Sequence, residues 1–250
     1  MSATPTDEPL IHAAIGWEVR NWSRALPFWQ RHLDRGQPRR ALALGERGGG
    51  LSLWLASQGI EVTCTDLDAS LDPARDLHER FGVGALVTYE NQDATAISHP
   101  DGTFDVVVFK SVIGALQTKE RQLQAISEMH RVLAPGGLLF FAENLVGSQL
   151  HVRLRRRFVR WERSWRYIDL AGDMDLFDAF DEVEFETWGF FGALGRSERQ
   201  RDLLGRIDAV VVPHVAAASR YIVFGACHKG DRTTETGLSR PPGGAEPVNS

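Results

Sequence analysis

The sequence predicts an α/β protein built on an open, doubly wound sheet, with most strands parallel and helices on both faces. The first observation is the regular alternation of short apolar runs with helix-like stretches along the 250-residue chain, which is typical of parallel sheets. The second is a glycine-rich loop that follows the first apolar run and opens a helix. The apolar runs that predict strands are Ala41–Leu44, Ile60–Thr65, Ala85–Tyr89, Gly102–Phe109, Leu138–Ala142, Glu182–Phe191 and Ser219–Cys227.

The chain divides into a cap, one domain and a tail. Tryptophans and leucines at helical spacing predict an N-terminal helical cap in residues 1–36, with a break near Pro27. The strands and their helices occupy residues 37–230. Residues 231–250 are polar and rich in proline and glycine, which predicts a disordered tail.

Composition excludes several classes of protein. A hydrophobic content of 43%, a charged content of 24% and a net charge of −5 are those of an ordinary globular protein, and they argue against a polyanion binder. The two cysteines, Cys64 and Cys227, lie in strand-like runs and are expected to be buried and reduced. No Cys/His cluster has zinc spacing, so no metal site is expected. Without a signal peptide or an apolar run of ~20 residues, we expect a cytoplasmic protein.

The stretch Arg40 to Asp66 is the most informative part of the sequence. An apolar run leads into Gly45, three further glycines occupy 48–50, a helix-like segment follows, and a second apolar run ends on Asp66. Glycines allow the backbone to approach a ligand closely, and the N-terminus of the following helix presents free N–H groups to it. An acid about 20 residues further on can bind the two ribose hydroxyls of a nucleoside.

This pattern resembles the class I S-adenosylmethionine-dependent methyltransferases, with two departures. Ala43 stands where that family has an acid, and Arg47 stands where it has the middle glycine. The resemblance extends over Arg39 to Lys229, and the segment Leu133–Gly137, leucine–X–proline–glycine–glycine before a strand, is its next most recognisable feature. It implies a Rossmann-like sheet of seven strands with an antiparallel last strand.

The resemblance also implies where the cofactor, S-adenosyl-L-methionine, would bind. Its partners would come from the glycine loop, from the end of the second strand, and from the acid and small residue after the third strand, the acid binding the adenine amino group. The residues at these places are Gly45, Glu46, Arg47, Gly49, Asp66, Leu67, Asp93 and Ala94. Asp93 has an alternative role as a turn or helix-cap acid.

Polar residues follow the fourth and fifth predicted strands, where ligands of open α/β sheets bind. Lys110 could hold the carboxylate of the methionine moiety or an anionic acceptor, or it could be a solvated strand end. Ser111 and Asn144 are candidates for acceptor binding, with a capping role as the alternative for Asn144. Glu143 and His151 are the candidate catalytic bases.

Two helical regions have open interpretations. The cap could pack on the sheet edge, or it could be a lid whose Trp17, Asn21 and Trp22 face the acceptor. The segment 148–167 contains seven arginines among leucine, phenylalanine and tryptophan residues. Its basic face could be solvated, form a rim for an anionic acceptor through residues such as Arg155 and Tyr167, or contact nucleic acid or an anionic membrane.

Together these features favour O-methylation of a small polar acceptor, such as a sugar or natural-product intermediate, because candidate bases are present. N-methylation of a small molecule is the alternative. A nicotinamide-dependent oxidoreductase and a non-catalytic nucleoside-binding protein are the rival classes, although Arg47 disrupts the GxGxxG spacing of the former. We expect no nucleic-acid or membrane partner, and a homodimer is left open.

Overall fold

A seven-stranded sheet in the order β3-β2-β1-β4-β5-β7-β6 forms the centre of the molecule. A computed structural model of the chain describes residues 7–158 and 164–231. Only β7 runs antiparallel to its neighbours in this sheet, which confirms the predicted fold class. The strands are β1 Arg40–Leu44, β2 Glu61–Asp66, β3 Val87–Asn91, β4 Phe104–Lys110, β5 Leu133–Asn144, β6 Glu182–Trp188 and β7 Ile222–His228.

Helices cover both faces of the sheet. Alternate residues of β1 and β4 face opposite sides: Ala43 and Val108 pack with α1–α4, whereas Leu44 and Phe109 pack with α6. Strands buried on both faces explain the continuous apolar runs in the sequence. The helices are α1 Glu8–Ile15, α2 Val19–Trp22, α3 Ala25–Leu33, α4 Gly50–Ala56, α5 Asp72–Arg80, α6 Lys119–Val132, α7 Gln149–Phe158 and α8 Glu198–Val211.

The N-terminal cap consists of α1, α2 and α3. The break predicted near Pro27 lies instead at residues 23–24, because Pro27 falls in the first turn of α3, where its missing N–H has no helical partner to lose. Helix α3 packs on the sheet: the Trp29 indole nitrogen donates to the Gly225 carbonyl at 2.9 Å. Helix α1 lies against α4, so that a Cβ on Gly50 would be 2.2 Å from a backbone oxygen of α1.

Three other expectations concern the cysteines, membrane-spanning helices and the C-terminal tail. Cys64 and Cys227 are buried and free, as expected. In the described ranges, no helix combines the length and the apolar character that crossing a membrane requires. The tail predicted to be disordered lies outside the described residues, apart from Asp231.

Candidate functional site

The glycine loop between β1 and α4 combines tightly packed and open positions. Gly45 and Gly49 have φ values of +68° and +70°, which favour glycine. A Cβ on Gly45 would lie 2.5 Å from the Val112 side chain, and one on Gly49 would lie 2.7 Å from neighbouring side chains. Gly48 is exposed, and a Cβ there would meet nothing within 4 Å. Packing therefore requires two of the glycines, and Gly48 leaves the open face of the loop available to a ligand.

Two buried side chains fix the conformation of this loop. The Glu46 carboxylate accepts hydrogen bonds from the Ser52 backbone N–H at 3.0 Å and from its hydroxyl, and burial raises the pKa of Glu46. His78 on α5 donates from Nε2 to the Gly49 carbonyl at 2.8 Å, while its Nδ1 accepts from the Tyr89 hydroxyl. Burial lowers the pKa of His78, which favours the neutral ring that this arrangement needs. Sequence reasoning missed His78, because an isolated histidine in a helix carries no motif.

The other predicted cofactor residues lie at the same edge of the sheet. Asp66 ends β2, is half-buried, and accepts at Oδ1 from the Ala69 N–H at 3.3 Å. Strands β2 and β3 are paired, so Asp93 follows two residues after the partner of Asp66. Asp93 Oδ1 accepts from the Thr95 N–H and hydroxyl, both at 2.8 Å, and these bonds lower its pKa. This is the turn role considered as the alternative for Asp93, and its adenine-binding role stays a prediction.

Three further residues complete this set. Arg47 and Leu67 are exposed, and Leu67 has 59% of its surface accessible to solvent. Ala94 is partly buried against the α6 side of the core. The structure thus brings the loop, Leu67 and Ala94 to one edge of the sheet.

A cavity of about 1210 Å³ lies over the ends of β4 and β5. Ser111 and Asn144 lie in its wall and are joined by a hydrogen bond of 3.2 Å from the Asn144 amide to the Ser111 hydroxyl. Of the other predicted residues, Trp17, His151 and Tyr167 also line it. The cap therefore contributes Trp17 to this cavity, while α3 packs on the sheet. That Trp17 faces an acceptor stays a prediction.

Asn21 and Trp22 are fully buried and do not line this cavity. The Asn21 amide donates to Asp208 on α8 at 2.8 Å, and that carboxylate also accepts from the Phe191 and Gly192 N–H groups. The Trp22 indole donates to Glu18 at 3.3 Å. Both residues support the wall from behind.

Glu18 is the main residue that sequence reasoning missed. It lines the cavity, has only 2% of its surface exposed, and has left-handed backbone angles of φ 48° and ψ 45°. Its carboxylate accepts hydrogen bonds from the Tyr221 hydroxyl and from the Asn21 amide. Burial raises the pKa of Glu18 to about 7. The N–H groups of Glu18 and Val19 donate to the Glu198 carboxylate, which stabilises this uncommon backbone conformation.

The two predicted bases, His151 and Glu143, are also held by hydrogen bonds. His151 Nε2 donates to the Phe190 carbonyl at 2.7 Å, and its Nδ1 accepts from the Ser148 N–H at 3.1 Å. Glu143 is fully buried, and its two oxygens accept from the Gly114 and Asn144 backbone N–H groups. Burial raises the pKa of Glu143 to about 7.

Lys110 links the cap to the sheet. Its ammonium donates to the Ile15 carbonyl at 3.0 Å and lies 4.7 Å from the centre of the Trp17 ring. Burial lowers the pKa of Lys110 to about 8, although the carboxylates of Glu46, Glu18 and Glu143 oppose that shift. The lysine is therefore not a solvated strand end, and its contact with a bound methionine moiety stays a prediction.

The structure describes the first part of the predicted basic helix, and residues 165–167 are not helical. Helix α7 spans Gln149–Phe158, and residues 159–163 lie outside the described part of the chain. The side chain of Arg155 also lies outside it. Trp165, Arg196 and Arg201, which sequence reasoning did not select, line the cavity.

Comparison with known proteins identifies the domain. Residues 42–141 match the family described as a methyltransferase domain. The malonyl-[acyl-carrier protein] O-methyltransferase of Enterobacter lignolyticus is 28% identical over 179 residues, which are 66% of this chain and 62% of that protein. The thiol S-methyltransferase TMT1B of Mus musculus is 38% identical over 112 residues, 41% of either chain. The chain thus spans less than two thirds of these curated relatives.

A solved structure supports the fold. Phosphoethanolamine N-methyltransferase 2 of Haemonchus contortus, in complex with S-adenosyl-L-methionine, superposes with a TM-score of 0.61 and 18% identity. The superposition covers 91% of this chain and 57% of that one. Residues 42–141 therefore form a methyltransferase domain, and the chain has the fold of a known S-adenosylmethionine-binding methyltransferase.

Proposed function

We propose that this protein transfers a methyl group from S-adenosylmethionine to a small polar acceptor held in the 1210 Å³ cavity. The observation that carries the proposal is that the glycine loop and the cavity meet at one edge of the sheet. Strands β1 and β4 pair through Leu44 and Phe109, so the loop that begins at Gly45 lies beside Ser111 in the cavity wall. A donor on the loop and an acceptor in the cavity would therefore be neighbours.

The residues on the loop side fit the cofactor. Gly48 has an open face at which the backbone could approach the cofactor. The half-buried Asp66 carboxylate offers acceptors for a ribose diol, and the turn at Asp93 offers a place for an adenine ring. When bound, S-adenosylmethionine supplies a sulfonium methyl group, whose C–S bond breaks as the new bond to the acceptor forms. The chain contributes alignment, and positioning of two reactants can lower a barrier by ~7–11 kcal/mol.

The cavity favours a polar, ring-bearing acceptor. Aromatic side chains of Trp17, Tyr167 and Tyr221 share its wall with Arg196 and Arg201. Aromatic faces pack against rings, and guanidinium groups bind carboxylate or phosphate oxygens. We propose O-methylation of a sugar or natural-product intermediate, with N-methylation as the alternative, since the relatives act on oxygen, sulfur and nitrogen.

Glu18 is the base that this proposal requires. A hydroxyl acceptor must lose its proton as the oxygen–carbon bond forms, and Glu18 lines the cavity with a pKa of about 7, close to the pH at which it would act. The proton passes to the Glu18 carboxylate, directly or through the Tyr221 hydroxyl that donates to it. His151 and Glu143, the bases expected from sequence, are assigned positioning roles here because their hydrogen bonds hold the cavity wall and the loop at Gly114.

Calorimetric titration of the protein with S-adenosylhomocysteine, with NADH as control, tests the cofactor. Binding of the first and not the second is expected, and the reverse result would revive the oxidoreductase alternative. Transfer of labelled methyl from S-adenosylmethionine to a panel of hydroxyl, amine and thiol compounds then tests the acceptor. Turnover of amines alone would overturn the assignment of oxygen.

The base is tested by Glu18→Gln, with Glu182→Gln on exposed β6 as the matched control. We expect the first variant to lower kcat by 10²- to 10⁴-fold (roughly, the usual contribution of general-base catalysis) while affinity for S-adenosylhomocysteine is retained. An unchanged kcat in Glu18→Gln would remove Glu18 from the reaction.

A further inference from the structure

Three potential metal ligands meet at the end of the sheet opposite the cavity. His32 on α3, Glu184 on β6 and His228 on β7 each offer one ligating atom, and these atoms all lie within 4.8 Å of one another. In the β6–β7 pairing, Glu182 faces His228 and Glu184 faces Ala226, so Glu184 and His228 project from the same face of the sheet. Helix α3 packs on that face and supplies His32.

The two histidines are close enough to share an ion. His32 Nδ1 lies 3.1 Å from His228 Nε2. With Zn–N bonds of about 2.05 Å, that separation corresponds to an N–Zn–N angle of about 98°, near the tetrahedral value. A metal could therefore be bound with little movement of either ring.

His32 is held in place by its surroundings. It is 2% exposed and packs against Phe28 and Phe140, with ring centroids at 5.1 Å and 6.4 Å. A ligand that is already fixed loses little conformational entropy when an ion binds.

Glu184 and Arg35 are the solvent-exposed part of the cluster. The Glu184 side chain is 41% exposed, and one of its carboxylate oxygens lies within 4.8 Å of a ligating nitrogen of each histidine. Arg35 Nη1 lies 3.5 Å from Glu184 Oε1 and 3.5 Å from His32 Nδ1. The Arg35 side chain is 58% exposed and can turn into solvent. A divalent cation would replace this guanidinium as the positive partner of the same two groups.

We propose that His32, Glu184 and His228 bind one divalent transition metal ion of the zinc type, with water as the fourth ligand. Two imidazoles and a carboxylate form a donor set that suits zinc. His228 is paired with Leu138 and Asn144 with Ile222, so about 20 Å of strand separates the ion from the cavity. The ion joins the cap to the two edge strands β6 and β7, and its role is to stabilise the fold.

The test is calorimetric titration of untagged, chelator-treated full-length protein with Zn²⁺, repeated with Co²⁺ and monitored by visible absorption. We expect one site of micromolar or tighter affinity, the visible bands of four-coordinate Co²⁺, and a Tm that rises with Zn²⁺. His228→Ala should weaken binding at least tenfold and abolish the rise in Tm. His214→Ala, which removes an exposed histidine outside the cluster, is the matched control and should change neither.

Arg35→Gln should have the opposite effect to His228→Ala on Zn²⁺ affinity. Removal of the competing guanidinium should tighten Zn²⁺ binding severalfold, which a nonspecific surface site would not show. If His228→Ala fails to fold, Glu184→Gln serves as the cluster variant, because the Glu184 side chain is partly exposed and its substitution should disturb folding less. Equal Zn²⁺ affinity in wild type and in the cluster variant, or no site tighter than 100 μM (roughly, the range of adventitious binding), would overturn the proposal.

Discussion

Substitution of Asp66 gives the sharpest test of the cofactor site. The residue ends β2 beside the glycine loop, and its half-buried carboxylate already accepts one hydrogen bond from the Ala69 N–H. A ribose diol would donate two more. Asp66→Ala removes both acceptor oxygens and the charge, whereas Asp66→Asn keeps one oxygen for Ala69, removes the charge and replaces the second acceptor by an amide donor.

The expected loss follows from the contacts removed. A hydrogen bond to a charged group contributes about 1.5–3 kcal/mol, which corresponds to a loss of affinity of about 10- to 150-fold. Asp66→Ala should therefore raise the Kd for S-adenosylhomocysteine by at least an order of magnitude. Asp66→Asn should show a comparable loss without the change in the turn at Ala69.

The assay is isothermal titration calorimetry with S-adenosylhomocysteine, and the control is Asp68→Asn. Asp68 is exposed, lies two residues further along the chain and carries the same charge. A general electrostatic effect would weaken binding equally in both asparagine variants. An affinity of Asp66→Asn within twofold of wild type would refute the assignment of Asp66 to the ribose.

Three further predictions concern stability. Gly49→Ala should lower the unfolding free energy by about 1–3 kcal/mol in chemical denaturation, because the new Cβ would sit at a positive φ and 2.7 Å from neighbouring side chains. Gly48→Ala should leave the unfolding free energy unchanged, because its Cβ would meet nothing within 4 Å, yet it should weaken S-adenosylhomocysteine binding. Burial raises the pKa of Glu18 from 4.5 to about 7, so ionisation of this carboxyl in the folded protein costs about 3 kcal/mol. The unfolding free energy of the wild type should therefore fall as the pH rises from 4.5 to 7, and Glu18→Gln should flatten that slope. His78→Phe should cost about 1–3 kcal/mol in thermal unfolding, because the Gly49 carbonyl and the Tyr89 hydroxyl lose their partner; an unchanged Tm would contradict this.

The sequence predicted the sheet well because its strands are buried on both faces. Continuous apolar runs such as Phe104–Phe109 fit few other structures, and the glycine loop marks where the first strand ends. The first and last residues of the strands were less predictable. Strand β6 ends at Trp188, short of the predicted Phe191, and β7 begins at Ile222, after the predicted Ser219, because Gly189 and the turn at 217–219 bend the chain there.

The acceptor side could be predicted only in part. Ser111 and Asn144, which lie in the cavity wall, could be selected because one follows and the other ends a central strand, and their contact with an acceptor stays a prediction. Glu18 was not, because the hydrogen bonds that hold its side chain and its backbone come from Tyr221 and Glu198, 203 and 180 residues away in sequence. The His32–His228 contact escapes notice for the same reason, since 196 residues separate the two. Chemistry produced by long-range packing leaves no local pattern.

The cavity wall has a consequence for how such proteins diverge. Of the residues that line it, Ser111 alone falls inside the segment 42–141 that matches the domain family. The others come from the cap, the last residue of β5, α7 and the segment after it, and the segments around α8 and β7. On the proposed function, methyl-donor recognition and acceptor choice would reside in largely separate parts of the chain, so that one could change with little effect on the other. Selection for a new acceptor could rebuild the flanking segments around an unchanged donor-binding half.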